Sequence, residues 1–245
     1  MRFDVVTLFP ELFAPFTTAG VTRRAFDSEQ LKLRCWNLRD FADGTYRRVD
    51  DRPFGGGPGM VMLAEPLARC VEAIRIDRGA HAVAAPVVLF SPVGSRIDHA
   101  VVADFASEPT AGAILICGRY EGLDQRFIDT CVDRQLSLGD FVLSGGEIAA
   151  IALLDAVARL LPGVLHDPDS HTFDSFNPAV QGLLDCPHYT RPEQWRGQGV
   201  PEALLSGHHA RIEQWRLEQR RALTQQLRPD LFSAETHKAP KRQKL

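Results

Sequence analysis

Apolar positions along the chain follow two rhythms. Short runs rich in β-branched and aliphatic residues, "RFDVVTLFP" (2–10), "APVVLF" (85–90) and "AGAILICG" (111–118), have the length of buried strands. "LKLRCW" (31–36) alternates apolar and polar positions and predicts one more strand. Between these runs the apolar spacing lengthens to three and four, which predicts helices. They fall within 11–28, over 64–77, after the turn "SPVG" (91–94), after "RYEG" (119–122), and over 147–161, where Pro162-Gly163 ends the pattern. Strands alternating with helices predict an α/β layer around a mostly parallel sheet. Ligands of such sheets gather outside the carboxyl ends of the strands. Three turns rich in glycine or polar residues fall there: "SPVG" (91–94), "CGRYEG" (117–122) and "LGDFVLSGG" (138–146).

Other stretches have no clear period. Residues 37–63 carry many Gly, Asp and Arg, and a loop of that length inside a compact domain is usually functional. Residues 162–185, "PGVLHDPDSHTFDSFNPAVQGLLD", have the composition of a linker. Beyond them "LLSGHHARIEQWRLEQRRALTQQLRP" is helical in spacing, with Ile212, Trp215, Leu223 and Leu227 able to share a face. The tail "ETHKAPKRQKL" reads as disordered and basic. The expected division is 1–161, a linker at 162–185, and a small C-terminal domain at 186–245.

Composition narrows the function classes. With 245 residues, 44% hydrophobic and 24% charged, the chain has the profile of an ordinary globular protein. The longest apolar run, 148–161, holds Asp155 and Arg159 and is too short to span a bilayer; no leader opens the chain, so a cytoplasmic protein without a membrane partner is expected. Five scattered cysteines without a C-x-x-C pair argue for free thiols and against a zinc site. The net charge of −3 is uneven: residues 186–245 hold 11 Lys/Arg against 6 Asp/Glu, and residues 1–185 hold 17 against 25. A basic end on an acidic body suits a polyanion partner, or a solvated helical surface with a charged tail.

Candidate chemistry concentrates at the glycines. "FGGGPGM" (54–60) is neither a phosphate loop, since no Gly-Lys-Ser/Thr follows, nor a dinucleotide fingerprint, since Met60 stands where a third glycine belongs. Ordering so many glycines costs backbone entropy, which favours close backbone approach to a ligand or partner over a bare turn. "LSLGDFVLSGGE" (136–147) also lacks a phosphate-binding cation and carries Asp140 and Glu147. Arg119 and Glu121 form a surface ion pair or aim into a cleft. Arg159 either pairs with Asp155 one turn away or does chemistry from a buried helix. Among Asp167, Asp169, His171 and Asp174 of the linker, an acid could close over a substrate as general base; composition does not say which.

"DDRPFGGGPGMVM", "CGRYEGLDQR", "LSLGDFVLSGGE", "LLDCPHYTRP" and "LLSGHHARIEQWR" together resemble, in order, the successive signatures of bacterial tRNA (guanine-N1)-methyltransferases. These belong to the knotted α/β methyltransferase (SPOUT) superfamily, and the resemblance runs from "FDVVTLFPELF" to about Arg228. It implies a deep trefoil knot late in the N-terminal domain, an exception to the rule against threaded chains, followed by an all-helical C-terminal domain. It implies transfer of a methyl group from S-adenosylmethionine to N1 of guanosine at tRNA position 37, by a homodimer with active sites between subunits. The donor would contact Phe90, Ser91 and Pro92; Gly118 and Tyr120; and Leu138, Gly139, Asp140, Phe141, Val142 and Leu143, with Gly145 and Gly146. Asp174, of the "DSF" element, would be the base and Arg159 its cationic partner. Glu121 matches a position linked to magnesium dependence. Gly55, Gly56, Gly57, Arg119, Asp185, Tyr189, His208 and His209 would face the tRNA. Phe141 and Leu138 depart conservatively from the common Tyr and Ile, and the segment after Phe176 is longer than in some relatives. Rival readings are a ribose methylase, an RNA-binding protein without catalysis, and an ATPase; the last lacks its phosphate-binding lysine.

Overall fold

The computed structural model describes residues 1–79, 85–107, 112–166 and 170–232. The described chain divides into two compact units, one ending at His166 and the other beginning at 167.

In the first unit, β1 (Arg2–Thr7) leads through two short helices, α1 (Ala14–Thr18) and α2 (Arg23–Asp27), to β2 (Lys32–Asn37). The long aperiodic segment that follows holds only a two-stranded ladder, β3 (Asp50–Asp51) with β4 (Val61–Met62). Then come α3 (Ala64–Arg78), β5 (Val87–Arg96), α4 (His99–Ala106), β6 (Ala113–Ile116), α5 (Gln125–Cys131), β7 (Arg134–Ser137) and α6 (Glu147–Leu160). Five strands form one sheet in the order β2-β1-β6-β5-β7, and every neighbouring pair in it is parallel.

Alternation along these strands feeds two cores. Phe3, Val5, Val88, Phe90, Ala113 and Leu115 point to one face, where Ala149, Ala150, Leu153, Leu154 and Val157 of α6 cover them with Val102 and Phe105 of α4. Val6, Val87, Leu89, Ile114 and Ile116 point to the other, under Leu67, Val71 and Ile74 of α3 and Phe127 of α5. Burial on both faces explains why these strands read as unbroken apolar runs. The one acid among them, Asp4, is buried but accepts hydrogen bonds from Arg2, Arg78 and the Trp36 indole.

Two features depart from the sequence reading. β7 was not expected, because "RQLS" is short and half polar. β5 does not end at Phe90: Phe90 and Ser95 both pair with Leu136, so 91–94 form an excursion within a strand that resumes to Arg96.

In the second unit a 3-10 turn (Pro178–Val180), a hairpin of β8 (Gln194–Trp195) and β9 (Gln198–Gly199), and helices α7 (Glu202–Leu205) and α8 (His209–Leu227) follow one another. The expectation of a wholly helical domain is corrected by that hairpin. Its two-residue turn, Arg196-Gly197, takes positive φ at both positions, as the twist of paired strands requires. Most of the expected linker belongs to this unit: Leu184 N–H donates to Thr224 of α8, and Arg220 of α8 pairs with Asp185. On α8 the inward face is Ile212, Trp215, Arg220, Leu223 and Thr224, while Leu227, expected with them, is 58% exposed.

Candidate active site

The carboxyl ends of β6 and β7 flank the break after Phe90 in β5, and these three places carry the three glycine-bearing turns. The backbone joins them. Gly146 N–H donates to the Gly118 carbonyl at 3.0 Å, tying the third turn to the second, and Cys117 N–H donates to Val6 at the end of β1. A Cβ on Gly146 would stand 2.8 Å from Cys117 Cα and 3.3 Å from Phe90 Cβ, so only glycine permits this approach. Within the third turn, Gly139 N–H donates to Ser137 Oγ and Phe141 N–H to the Gly139 carbonyl. Thus Phe90 to Pro92, Gly118 to Glu121, and Leu138 to Gly146 are brought together.

Side chains complete this edge. Arg119 pairs with the buried Glu147 at 2.9 Å, rather than with Glu121, and its guanidinium lies over the Phe9 ring. The charge of Glu147 is therefore balanced where it stands. Tyr120 takes φ +59°, and burial first, then the nearby Asp50, raises its phenol pKa. The end of the glycine loop is stitched to this turn: Glu121 N–H donates to the Met60 carbonyl, Met62 N–H to Gly122 and Asp124 N–H to Met62. Gly55, Gly56 and Gly57 all take positive φ, and Phe54 is fully exposed beside them. α6 starts at the third turn and carries Arg159, half buried, in its last turn.

The second unit holds the remaining candidates. Asp174 is half buried; its backbone carbonyl accepts from Asn177 N–H and its N–H donates to the His171 carbonyl. A cavity of about 400 Å³ is lined by Asp174, Asp185, His188, Glu213, Arg216 and Arg220. Burial raises the Asp185 pKa, but hydrogen bonds from Arg220, His188 and the Cys186 N–H outweigh it and hold the carboxyl below its ordinary value. Tyr189 meets Trp215 edge to face, ring centroids 6.2 Å apart. His208 stands just before α8, without a capping side-chain hydrogen bond, and His209 begins the helix; both are exposed. Asp167 and Asp169 lie outside the described residues.

Comparison with known proteins adds to this geometry. The family model described as tRNA (Guanine-1)-methyltransferase TrmD matches residues 1–234. The chain belongs to this methyltransferase family. A tRNA (guanine-N(1)-)-methyltransferase of Polaromonas sp. is 68% identical over 232 residues, 94% of this chain and 89% of the relative. That of Paracidovorax citrulli is 68% identical over 235 residues, 96% and 91% of the two chains. That of Methylibium petroleiphilum is 62% identical over 238 residues, 96% and 91%.

A methyltransferase of this family needs a methyl donor, and the three turns suit S-adenosylmethionine. Backbone approaches closely at Gly118 and Gly146, and the one arginine of these turns, Arg119, is neutralised by Glu147 rather than offered to a phosphate. Magnesium finds less support. Among the described residues the only three His/Cys/Asp/Glu ligand atoms within 4.8 Å of one another belong to Asp185, Cys186 and His188, and Glu121 is not in that group. Arg220 occupies the Asp185 carboxylate, and burial raises the Cys186 thiol pKa, so the group is a poor cation site. Among the described residues no helix is long and apolar enough to cross a membrane.

Sequence reasoning missed Thr7, Phe9 and Arg220 altogether. Thr7 contacts Glu147 from 140 residues away, a separation no local pattern encodes. Arg220 was hidden among the arginines that ring the apolar face of α8.

Proposed function

We propose that this protein transfers a methyl group from S-adenosylmethionine to N1 of guanine in tRNA, at guanosine 37 beside the anticodon. The match to the methyltransferase family over residues 1–234 carries this reading. S-adenosylmethionine supplies an electrophilic methyl group on a sulfonium sulfur. Phe90 to Pro92, Gly118 and Tyr120, and Leu138 to Leu143 with Gly145 and Gly146 hold it through backbone groups.

The acceptor sets the remaining demands. N1 of guanine carries a proton and is a weak nucleophile, so a base must take that proton as the N–C bond forms. Asp174 is the base in this proposal. The negative charge left on the purine spreads to O6, where the Arg159 guanidinium stabilises it. Asp185, Tyr189, His208 and His209 belong to the tRNA-facing unit, and Gly55 to Gly57 approach the RNA backbone. A trefoil knot in the first unit and a homodimer with shared sites complete the reading. Support for the dimer comes from exposed apolar side chains close to the turns: Val93 (82%), Val142 (80%) and Ile148 (55%).

The test combines purified protein, isotope-labelled S-adenosylmethionine and unmodified tRNA transcripts with guanosine or adenosine at position 37. 1-Methylguanosine should form only with guanosine 37. No methylated base overturns the reading, methylated ribose moves the target, and equal labelling of both transcripts refutes position 37.

A further inference from the structure

We propose that Glu147 is a positioning residue for the methyl-donor site, acting through Arg119; this rests on the reading that the three turns bind S-adenosylmethionine. Glu147 is the first residue of α6 and only 1% exposed. Its Oε1 accepts from Thr7 Oγ1 at 2.8 Å and from Arg119 Nε at 3.2 Å. Its Oε2 stands 2.9 Å from Arg119 Nη2, close enough for an ion pair but without an aligned hydrogen bond. Arg119 Nη1 in turn donates to the Ser144 carbonyl at 3.2 Å, and the guanidinium plane lies 4.5 Å from the centre of the Phe9 ring. One arginine thus joins the second turn, the third turn, the start of α6 and the residues leaving β1.

The energetics favour a geometric task over a stabilising one. A buried ion pair usually contributes no more to stability than apolar side chains of similar volume would. The first turn of α6 could be filled by such residues, as its next turns are. What an apolar pair would not supply is a fixed distance between two turns, held by a planar fork with several hydrogen bonds. The space is also committed: a side chain on Gly145 would run into Arg119 and the Glu147 carboxylate. Arg119 was expected to face the tRNA. Its side chain is 18% exposed and its cation is spent on Glu147, Ser144 and Phe9, so it shapes the donor site from behind.

Calorimetric titration of the full-length protein with S-adenosylmethionine tests this. Glu147→Gln, which keeps the shape and loses the charge, and Arg119→Lys, which keeps the charge and loses the fork, should each weaken donor affinity about tenfold. The double variant should be no weaker than the worse single one, since both break the same link. Affinity for tRNA, measured by filter binding, should not change. A purely structural role would lower the melting temperature and leave donor affinity intact well below it; that result overturns the proposal. So does loss of tRNA affinity in Arg119→Lys with donor affinity unchanged, which would put Arg119 against the RNA. If Glu147→Gln fails to fold by circular dichroism, Arg119→Lys and Thr7→Val, which removes one hydrogen bond, decide the question. Wild-type protein that binds no donor sinks the functional reading itself; wild type that binds, with variants that bind equally, sinks only this inference.

Discussion

The Asp185 carboxyl shows how one residue couples stability to pH. Its folded pKa lies below the ordinary carboxylate value because hydrogen bonds from Arg220, His188 and a backbone N–H outweigh burial. The folded state therefore binds this proton less readily than the unfolded one. The stabilisation is present in full above about pH 4, the unfolded pKa, and is lost as pH falls through the lower folded pKa. Arg220→Met should cost about 2 kcal/mol in urea unfolding at pH 7, less than a fully buried pair, because Asp185 keeps part of its solvent. The cost should shrink in acid. The thiols offer a second check. Burial pushes Cys35 up to about 11 and Cys70 up to about 12, and Cys117 well above its usual value with Glu147 adding to the effect. All three should resist iodoacetamide at pH 8 in the native protein and react in urea, as read by mass spectrometry. At the proposed base, Asp174→Asn should abolish methyl transfer while calorimetry finds donor binding retained; loss of both would refute the separation of roles.

Among the elements, α6 does most to place the proposed site, because it begins at the third turn and carries Arg159 in its last turn. Gly146→Ala would press a methyl group onto the backbone of Cys117, where nothing can give way. It should destabilise the protein by about 1–3 kcal/mol in denaturant unfolding and remove donor binding. This helix and four of the five strands of the parallel sheet were legible in the sequence, because burial on both sheet faces leaves long apolar runs. β7 was not, since "RQLS" buries only its second half. The continuation of β5 was not either, because Pro92 and Gly94 punctuate the run exactly as a terminating turn would, while the return to Leu136 is a tertiary pairing. The three turns were found from their glycines; the ion pair behind them was not, because its members are far apart in the chain. In the second unit, strands of two residues are too short to show alternation, and Leu227 satisfies the helical spacing yet stays 58% exposed.

For the whole molecule, the charge asymmetry resolves unevenly. Residues 186–232 hold 7 Lys/Arg against 5 Asp/Glu, and the last 13 residues hold 4 against 1. Most of the basic excess therefore lies past α8. Removing residues 233–245 should leave donor binding unchanged and lower the salt dependence of tRNA affinity by about 2–3 in the slope of log K against log salt. The proposed dimer predicts that sedimentation at micromolar concentration finds two chains, and that Ile148→Asp yields a monomer with an unchanged melting temperature. The strand order has a further consequence, for the birth of the protein. β1-β2 and β5-β6 join strands consecutive along the chain, but β1 pairs with β6 and β5 with β7, so both links that complete the sheet wait for strands made later. A chain still emerging from the ribosome can hold β1, β2 and β5 and yet lack the strand that joins them, and with it the proposed donor site. That site exists only once Leu160 is out, which makes its formation late and slow. Donor binding would then act as a trap for the finished fold, adding its free energy only after the last strand and helix have closed.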